Sequence, residues 1–141
     1  MAEPLAEAAP AVVLLIEDEA PNRALLRAIL GRTSDPRLRG VTLIEAADLA
    51  TAREVLARQP VTLVLLDVRL PDGNGLTLAR ELRSRPPEDR PRVLILSASV
   101  LPSERESALA AGADGFLGKP YHPPDLVAWL VQLIEAGPPR A

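Results

Sequence analysis

Five short stretches of strand-like residues, each separated from the next by a segment of helical pattern, constrain this chain most. Ala11 to Ile16 and Val93 to Leu96 are unbroken aliphatic runs, and Val61 to Leu66 is strongly apolar. Runs of this length without alternation read as strands buried on both faces. Val41 to Glu45 and Gly115 to Gly118 are shorter strand candidates. Pro21 to Leu30 carries Leu25, Leu26, Ile29 and Leu30 at helical spacing, with Gly31 as the expected stop. Asp48 is positioned to cap a second helix that reaches about Gln59 and turns Leu49, Ala52, Val55 and Leu56 inward. Leu76 to Leu82 forms a third, after a loop punctuated by Gly73 and Gly75. Ser103 with Glu106 fits a capping box that opens a fourth helix, reaching Ala111 before Gly112. Pro123 and Pro124 suit the first turn of a fifth, Asp125 to Ala136. Arg32 to Gly40 and Ser84 to Arg92 read as polar, proline-containing loops.

Strands alternating with helices imply a parallel sheet with helices on both faces. Right-handed crossovers leave few topologies. The expectation is an α/β, flavodoxin-like doubly wound sheet of five parallel strands in the order 2-1-3-4-5, with five helices. A chain of 141 residues has room for one such domain. That domain is placed at residues 11–136, between an N-terminal tail at 1–10 and a C-terminal tail at 137–141. Phe116, Tyr121 and Trp129 are the only aromatic residues, so the core must be aliphatic. The net charge of −3 argues against a dedicated nucleic-acid binder. The absence of cysteine excludes disulfides, zinc-thiolate centres and thiol catalysis. No apolar run reaches membrane-spanning length, and residues 1–10 lack the features of a signal peptide, so the expected location is the cytoplasm.

The strands share a second property, because four of them run into a reactive polar group at the carboxyl end. The first leads to Glu17 and Asp18, the third to Asp67, the fourth to Ser97 and the fifth to Lys119-Pro120. In an open parallel sheet, ligands bind just outside these ends. Three crowded carboxylates repel one another, and a hard cation relieves the repulsion. Oxygen ligands without Cys or His favour Mg²⁺ over zinc. Lys119 supplies a point charge for a phosphate, and Ser97 can donate a hydrogen bond to it. Asp67 can attack phosphorus and form an acyl phosphate. Each residue alone also has a plainer reading as a cap, a turn former or a solvated surface group. Their joint placement on successive strand ends favours the site.

Four stretches carry a resemblance: Leu14-Leu-Ile-Glu-Asp-Glu, Leu65-Leu-Asp-Val-Arg-Leu-Pro-Asp-Gly-Asn-Gly75, Ile95-Leu-Ser-Ala-Ser and Ala113-Asp-Gly-Phe-Leu-Gly-Lys-Pro120. The chain resembles the receiver domain of two-component response regulators over roughly residues 10 to 136. The resemblance implies that Asp67 is the phosphoacceptor. It implies Mg²⁺ bound by Asp18 and Asp67, with Glu17 completing the acidic pair and the Arg69 backbone carbonyl as a further ligand. Ser97 matches the switch hydroxyl, Ala98 the small residue that leaves room for phosphate, and Phe116 the aromatic switch. Lys119 matches the phosphate-contacting lysine, and Pro120 the proline that often follows a cis bond. Glu17 stands where Asp is commoner. Arg69 is long and charged where many members have Met or Asn, and the loop Arg32 to Gly40 is a few residues longer than the family pattern.

The implied partners are a sensor histidine kinase or histidine phosphotransfer protein as donor and a downstream protein effector. No nucleic-acid or membrane partner is expected, and the chain is expected to be a monomer or weak homodimer. The chain is expected to act as a stand-alone receiver with self-catalysed phosphorylation and dephosphorylation, not as a metabolic enzyme. A rival reading is a pseudo-receiver, a docking module without phosphorylation, but such a module would lack Asp67 or Lys119. Another is a haloacid-dehalogenase-like phosphatase, which wants a second Asp where Arg69 stands. A nucleotide-binding domain is weaker still, because no G-x-G-x-x-G follows the first strand. His122 reads as a surface or capping residue, and Tyr121 as a packing residue. On the last helix, Trp129, Leu133, Leu126, Leu130, Ile134, Val127 and Val131 span about 200° of arc, wider than one sheet face needs. One edge of that stripe, through Trp129 or Val131, should overhang the core, either because the helix is deeply packed or because, as the resemblance implies, it forms a partner or dimer surface on the fourth and fifth helices.

Overall fold

Successive residues of a strand point to opposite faces, and in the central strands of this protein both faces are covered. In the computed structural model, which describes residues 11–99 and 101–137, strand β1 is Val12–Ile16, β2 is Thr42–Ala46 and β3 is Leu63–Asp67. Strand β4 is Arg92–Ser97 and β5 is Gly115–Gly118. They form one five-stranded sheet in the order β2-β1-β3-β4-β5, all parallel. This is the expected 2-1-3-4-5 order. The helices are α1 (Ala20–Arg32), α2 (Leu49–Arg58), α3 (Gly75–Arg83), α4 (Pro102–Ala110) and α5 (Pro123–Ala136). Among the described residues no helix is long and apolar enough to cross a membrane.

The two cores follow from strand alternation. Leu14, Ile16, Val64, Leu66, Val93 and Ile95 point to one face, where α2, α3 and α4 contribute Leu49, Ala52, Leu56, Leu78, Leu82 and Ala108. Val13, Leu15, Leu63, Leu65, Leu94 and Leu96 point to the other, against Leu26 and Ile29 of α1 and Leu126, Leu130 and Leu133 of α5. Each fully buried Leu or Ile contributes about 1.5–3 kcal/mol relative to exposure. Aliphatic burial on two faces is thus what fixes the strand ends in space.

Asp48 caps α2 as expected, accepting a hydrogen bond from the Thr51 amide at 2.8 Å. Pro123 and Pro124 lie in the first turn of α5, and His122 is its exposed N-cap residue. Several local expectations fail for identifiable reasons. Gly31 does not stop α1, which continues to Arg32 and ends as Thr33 turns extended. Ser103 is not a cap: Pro102, suited by its fixed φ to the first helical position, makes Leu101 the N-cap and places Ser103 inside the helix. The loop 32–40 contains a 3₁₀ turn, Pro36–Leu38, whose Leu38 is buried against α5. Leu25 does not join the α1 stripe and is exposed. Val131 is 7% exposed and buried in the α1–α5 core, so it offers no partner surface. Trp129 is half-buried, with its indole over Gly115 of β5. Across β5, on the other face of the sheet, Leu101 and Leu109 are exposed, at 59% and 48%, at the two ends of α4. The tails 1–10 and 138–141 lie outside the described residues.

Candidate functional site

The strand order brings the carboxyl ends of β1, β3, β4 and β5 to one edge. There a cleft of about 570 Å³ is lined by Glu17, Asp18, Asp67, Arg69, Ser97, Ala98 and Lys119, with Glu19, Asn22, Val68 and Ser99. Glu17, Asp18, Asp67, Ser97 and Lys119 therefore converge from four strand ends.

Glu17 follows β1 without leaving the sheet, because its amide still bonds to the Ala46 carbonyl at 3.0 Å. Its side chain is buried at 2% exposure. The Lys119 ammonium donates to Glu17 Oε1 at 2.7 Å and to Asp67 Oδ2 at 3.1 Å. The second Glu17 oxygen, Oε2, accepts from the Glu19 amide at 3.1 Å. Lys119 is itself held by its backbone amide, which donates to the Ser97 carbonyl at 2.7 Å. The Lys119–Pro120 bond is cis. Ser97 is buried, and its hydroxyl oxygen accepts from the Ser99 amide at 3.1 Å. Asp18 is exposed and takes no protein hydrogen bond among the described residues.

Asp67 stands at the end of β3 because the chain turns sharply after it. Arg69–Leu70 and Gly73–Asn74 pair as a two-residue antiparallel ribbon, and α3 begins at once. A Cβ at Gly75 would collide with the Asp67 backbone oxygen, so only glycine lets α3 start there. The ribbon is pinned elsewhere by Asp72, whose two carboxylate oxygens accept from the Leu49 and Ala50 amides at 2.9 and 3.0 Å.

The charges are unevenly matched. Burial pushes the Asp67 carboxyl above its ordinary value, and the Glu17 charge adds to this against the opposing pull of Lys119. Burial also acts to raise Glu17, but the Lys119 hydrogen bond and the Glu19 amide outweigh it and hold that carboxyl low. Lys119 is opposed by burial and raised overall by Glu17 and Asp67. Ligand oxygens of Glu17, Asp18 and Asp67 all lie within 4.8 Å of one another. An all-oxygen set with one exposed, unpartnered carboxylate fits a hard divalent cation.

Phe116 is half-buried on β5, against the core beneath α2, α3 and α4, outside the cleft lining. Trp129 and Val131 lie on α5 in the opposite core. Glu19, Asn22 and Ser99 were not singled out in the sequence. Their proximity to Glu17 and Ser97 along the chain was the available signal.

The sequence model for the response regulator receiver domain matches residues 13–131. The transcriptional regulatory protein AruR of Pseudomonas aeruginosa is 36% identical over 141 aligned residues, covering 91% of this chain and 54% of AruR. GltR of the same organism, also a transcriptional regulatory protein, is 33% identical over 123 residues, covering 87% of this chain and 48% of GltR. The chain thus spans about half the length of these curated relatives. Among solved structures, the receiver domain of sensor histidine kinase PA1611 from P. aeruginosa PAO1 is 31% identical with a TM-score of 0.75, covering 90% of this chain and 99% of that one. It was determined with a magnesium ion coordinated in its active-site cleft. A CheY-like receiver domain protein from Methanospirillum hungatei JF-1, 20% identical, shares the fold at a TM-score of 0.78, covering 91% and 96%.

Proposed function

The chain belongs to the response regulator receiver family, and from that premise we propose that Asp67 accepts a phosphoryl group in the cytoplasm from a sensor histidine kinase or histidine phosphotransfer protein. The observation that carries this reading is the sharing of one lysine between Glu17 and Asp67, beside an exposed Asp18 and a buried Ser97.

Mg²⁺ would be held by Asp18, Asp67 and the Arg69 backbone carbonyl, with Glu17 behind them, and would neutralise charge on the transferring phosphoryl group. Asp18 is the better direct ligand, because both oxygens of Glu17 already accept protein hydrogen bonds. Lys119 holds Asp67 by one oxygen, Oδ2. A carboxylate oxygen of Asp67 attacks phosphorus, the bond from phosphorus to the donor breaks, and an acyl phosphate forms. Lys119 then contacts the new phosphoryl oxygens. The Ser97 hydroxyl turns to donate to the same group, and Phe116 moves inward to fill the space it leaves.

Readout is by protein contact. We place it on the α4 side, where Leu101 and Leu109 are exposed, with half-buried Trp129 as its neighbour through β5. The phosphatase reading gains no support, since Arg69 occupies the place of the second Asp that such enzymes use. Labelling by acetyl phosphate tests the proposal. The wild-type chain takes up one phosphoryl group with Mg²⁺ and none with a chelator. Labelling that ignores Mg²⁺ contradicts it.

A further inference from the structure

We propose that Arg23 is a positioning residue for the acidic pair, holding the peptide that joins Glu17 to Asp18 so that Asp18 is presented to a divalent cation. This rests on the reading of Asp18 as a Mg²⁺ ligand. Strand β1 ends at Ile16. The Glu17 amide still has a sheet partner, but its carbonyl has passed the last rung of the ladder. A polar backbone group there must find a donor. Arg23 supplies it, reaching back from the first turns of α1 so that Nη1 donates to the Glu17 carbonyl oxygen at 2.8 Å. That oxygen belongs to the peptide plane linking the two acidic residues. Its orientation sets the direction of the Asp18 Cα, while Glu17 stays fixed by Lys119 and the Glu19 amide.

Arg23 is braced in turn. Its Nε lies 3.4 Å from Glu45 Oε1, on β2 beside Leu15 of β1. Glu45 is gripped in two-pronged fashion by Arg27, at 2.8 and 2.9 Å. A planar guanidinium can serve a carbonyl and a carboxylate at once, which a lysine ammonium on its flexible stem does less well. The chain Arg27–Glu45–Arg23 therefore ties α1 and β2 to the peptide that aims Asp18.

Positioning and simple charge make opposite predictions. Arg23 is a cation near a cation site. If only its charge mattered, Arg23→Gln would tighten Mg²⁺ binding. If it orients Asp18, Arg23→Gln weakens it, by about ten-fold for loss of a group that orients a metal ligand. Calorimetric Mg²⁺ titration of the full chain separates the two. Arg23→Lys should fall between Arg23→Gln and wild type. Arg53→Gln, which breaks the exposed Arg53–Glu81 pair between α2 and α3, should stay within about two-fold of wild type. Acetyl-phosphate labelling of Arg23→Gln should recover towards the wild-type rate at saturating Mg²⁺. Should Arg23→Gln fold poorly by circular dichroism, Glu45→Gln slackens the brace without touching Glu17, and a smaller weakening is expected. Unchanged or tighter Mg²⁺ binding in Arg23→Gln, or in Glu45→Gln used in its place, overturns the proposal. Wild-type protein that binds no Mg²⁺ overturns the underlying reading and the proposal with it.

Discussion

The two edges of one sheet treat charge in opposite ways. At the amino edge, Arg92 of β4 donates through Nη1 to Asp114 at 2.9 Å and through Nε to the Gly137 carbonyl at 2.8 Å, where α5 ends. The other Asp114 oxygen accepts from the Val93 amide at 2.8 Å. One cation meets one anion, and the remaining bonds go to backbone. At the carboxyl edge, a single lysine serves two carboxylates while a third stands exposed. Matched charges fasten β4, β5 and α5 together. Unmatched ones leave Asp67 with a carboxyl raised by burial and by the Glu17 charge, a condition that a bound cation relieves.

This contrast can be broken by substitution. The largest stability effect should come from Asp114→Ala, which removes two charge-assisted hydrogen bonds, from the Arg92 guanidinium and the Val93 amide, and leaves Arg92 short of a partner. A loss of about 3 kcal/mol in urea unfolding is expected, with unchanged Mg²⁺ affinity in the folded protein. Altered Mg²⁺ binding would mean that the amino edge is not merely structural.

Lys119→Ala should cost a comparable amount, about 3 kcal/mol without Mg²⁺, because its loss leaves the largely buried carboxylates of Glu17 and Asp67 facing each other unpaired. Added Mg²⁺ should restore much of it. Melting with and without the metal checks this, and a mutant as stable as wild type in chelator would reduce Lys119 to a surface residue.

Asp67→Asn gives the smallest effect and the opposite sign. The raised Asp67 carboxyl favours the folded state fully below its ordinary value of 3.8, and that contribution disappears as pH rises through the higher folded value. Near neutral pH wild type carries the buried charge. The amide should therefore stabilise metal-free protein there, with the gain shrinking towards pH 4. Glu17 runs the other way: its lowered carboxyl stabilises above 4.5, and that stability fades as pH falls through the folded value. A gain from Asp67→Asn that grows on acidification would contradict the assigned charge state.

The large features were legible because they rest on burial. Unbroken runs such as Ala11 to Ile16 and Val93 to Leu96 can only be central strands, and parallel pairing then sends Glu17, Asp67, Ser97 and Lys119 to one edge. Less legible was anything decided by competition among neighbours. Ser103 and Glu106 satisfy the capping pattern, but Pro102 claims the helix start. The apolar arc of α5 is genuine, yet its width is used up because Leu38 of the 3₁₀ turn and Trp129 over Gly115 fill the space at its sides. Val131 consequently faces inward. The spacing from Asp67 to Gly75 was visible, but its cause, contact between α3 and the Asp67 backbone, exists only in three dimensions. The preference of Lys119 for Glu17 over Asp67 depends on a few tenths of an ångström, and no pattern encodes that.

The central claim is that the unmatched edge exists to receive a phosphoryl group at one carboxylate. Intact-mass measurement of wild type and Asp67→Asn, each incubated with acetyl phosphate and Mg²⁺, tests it most directly. The wild-type chain should gain one phosphoryl group, and Asp67→Asn, still folded and still carrying Glu17, Asp18 and Lys119, should gain none. Equal labelling of the two proteins would contradict the account.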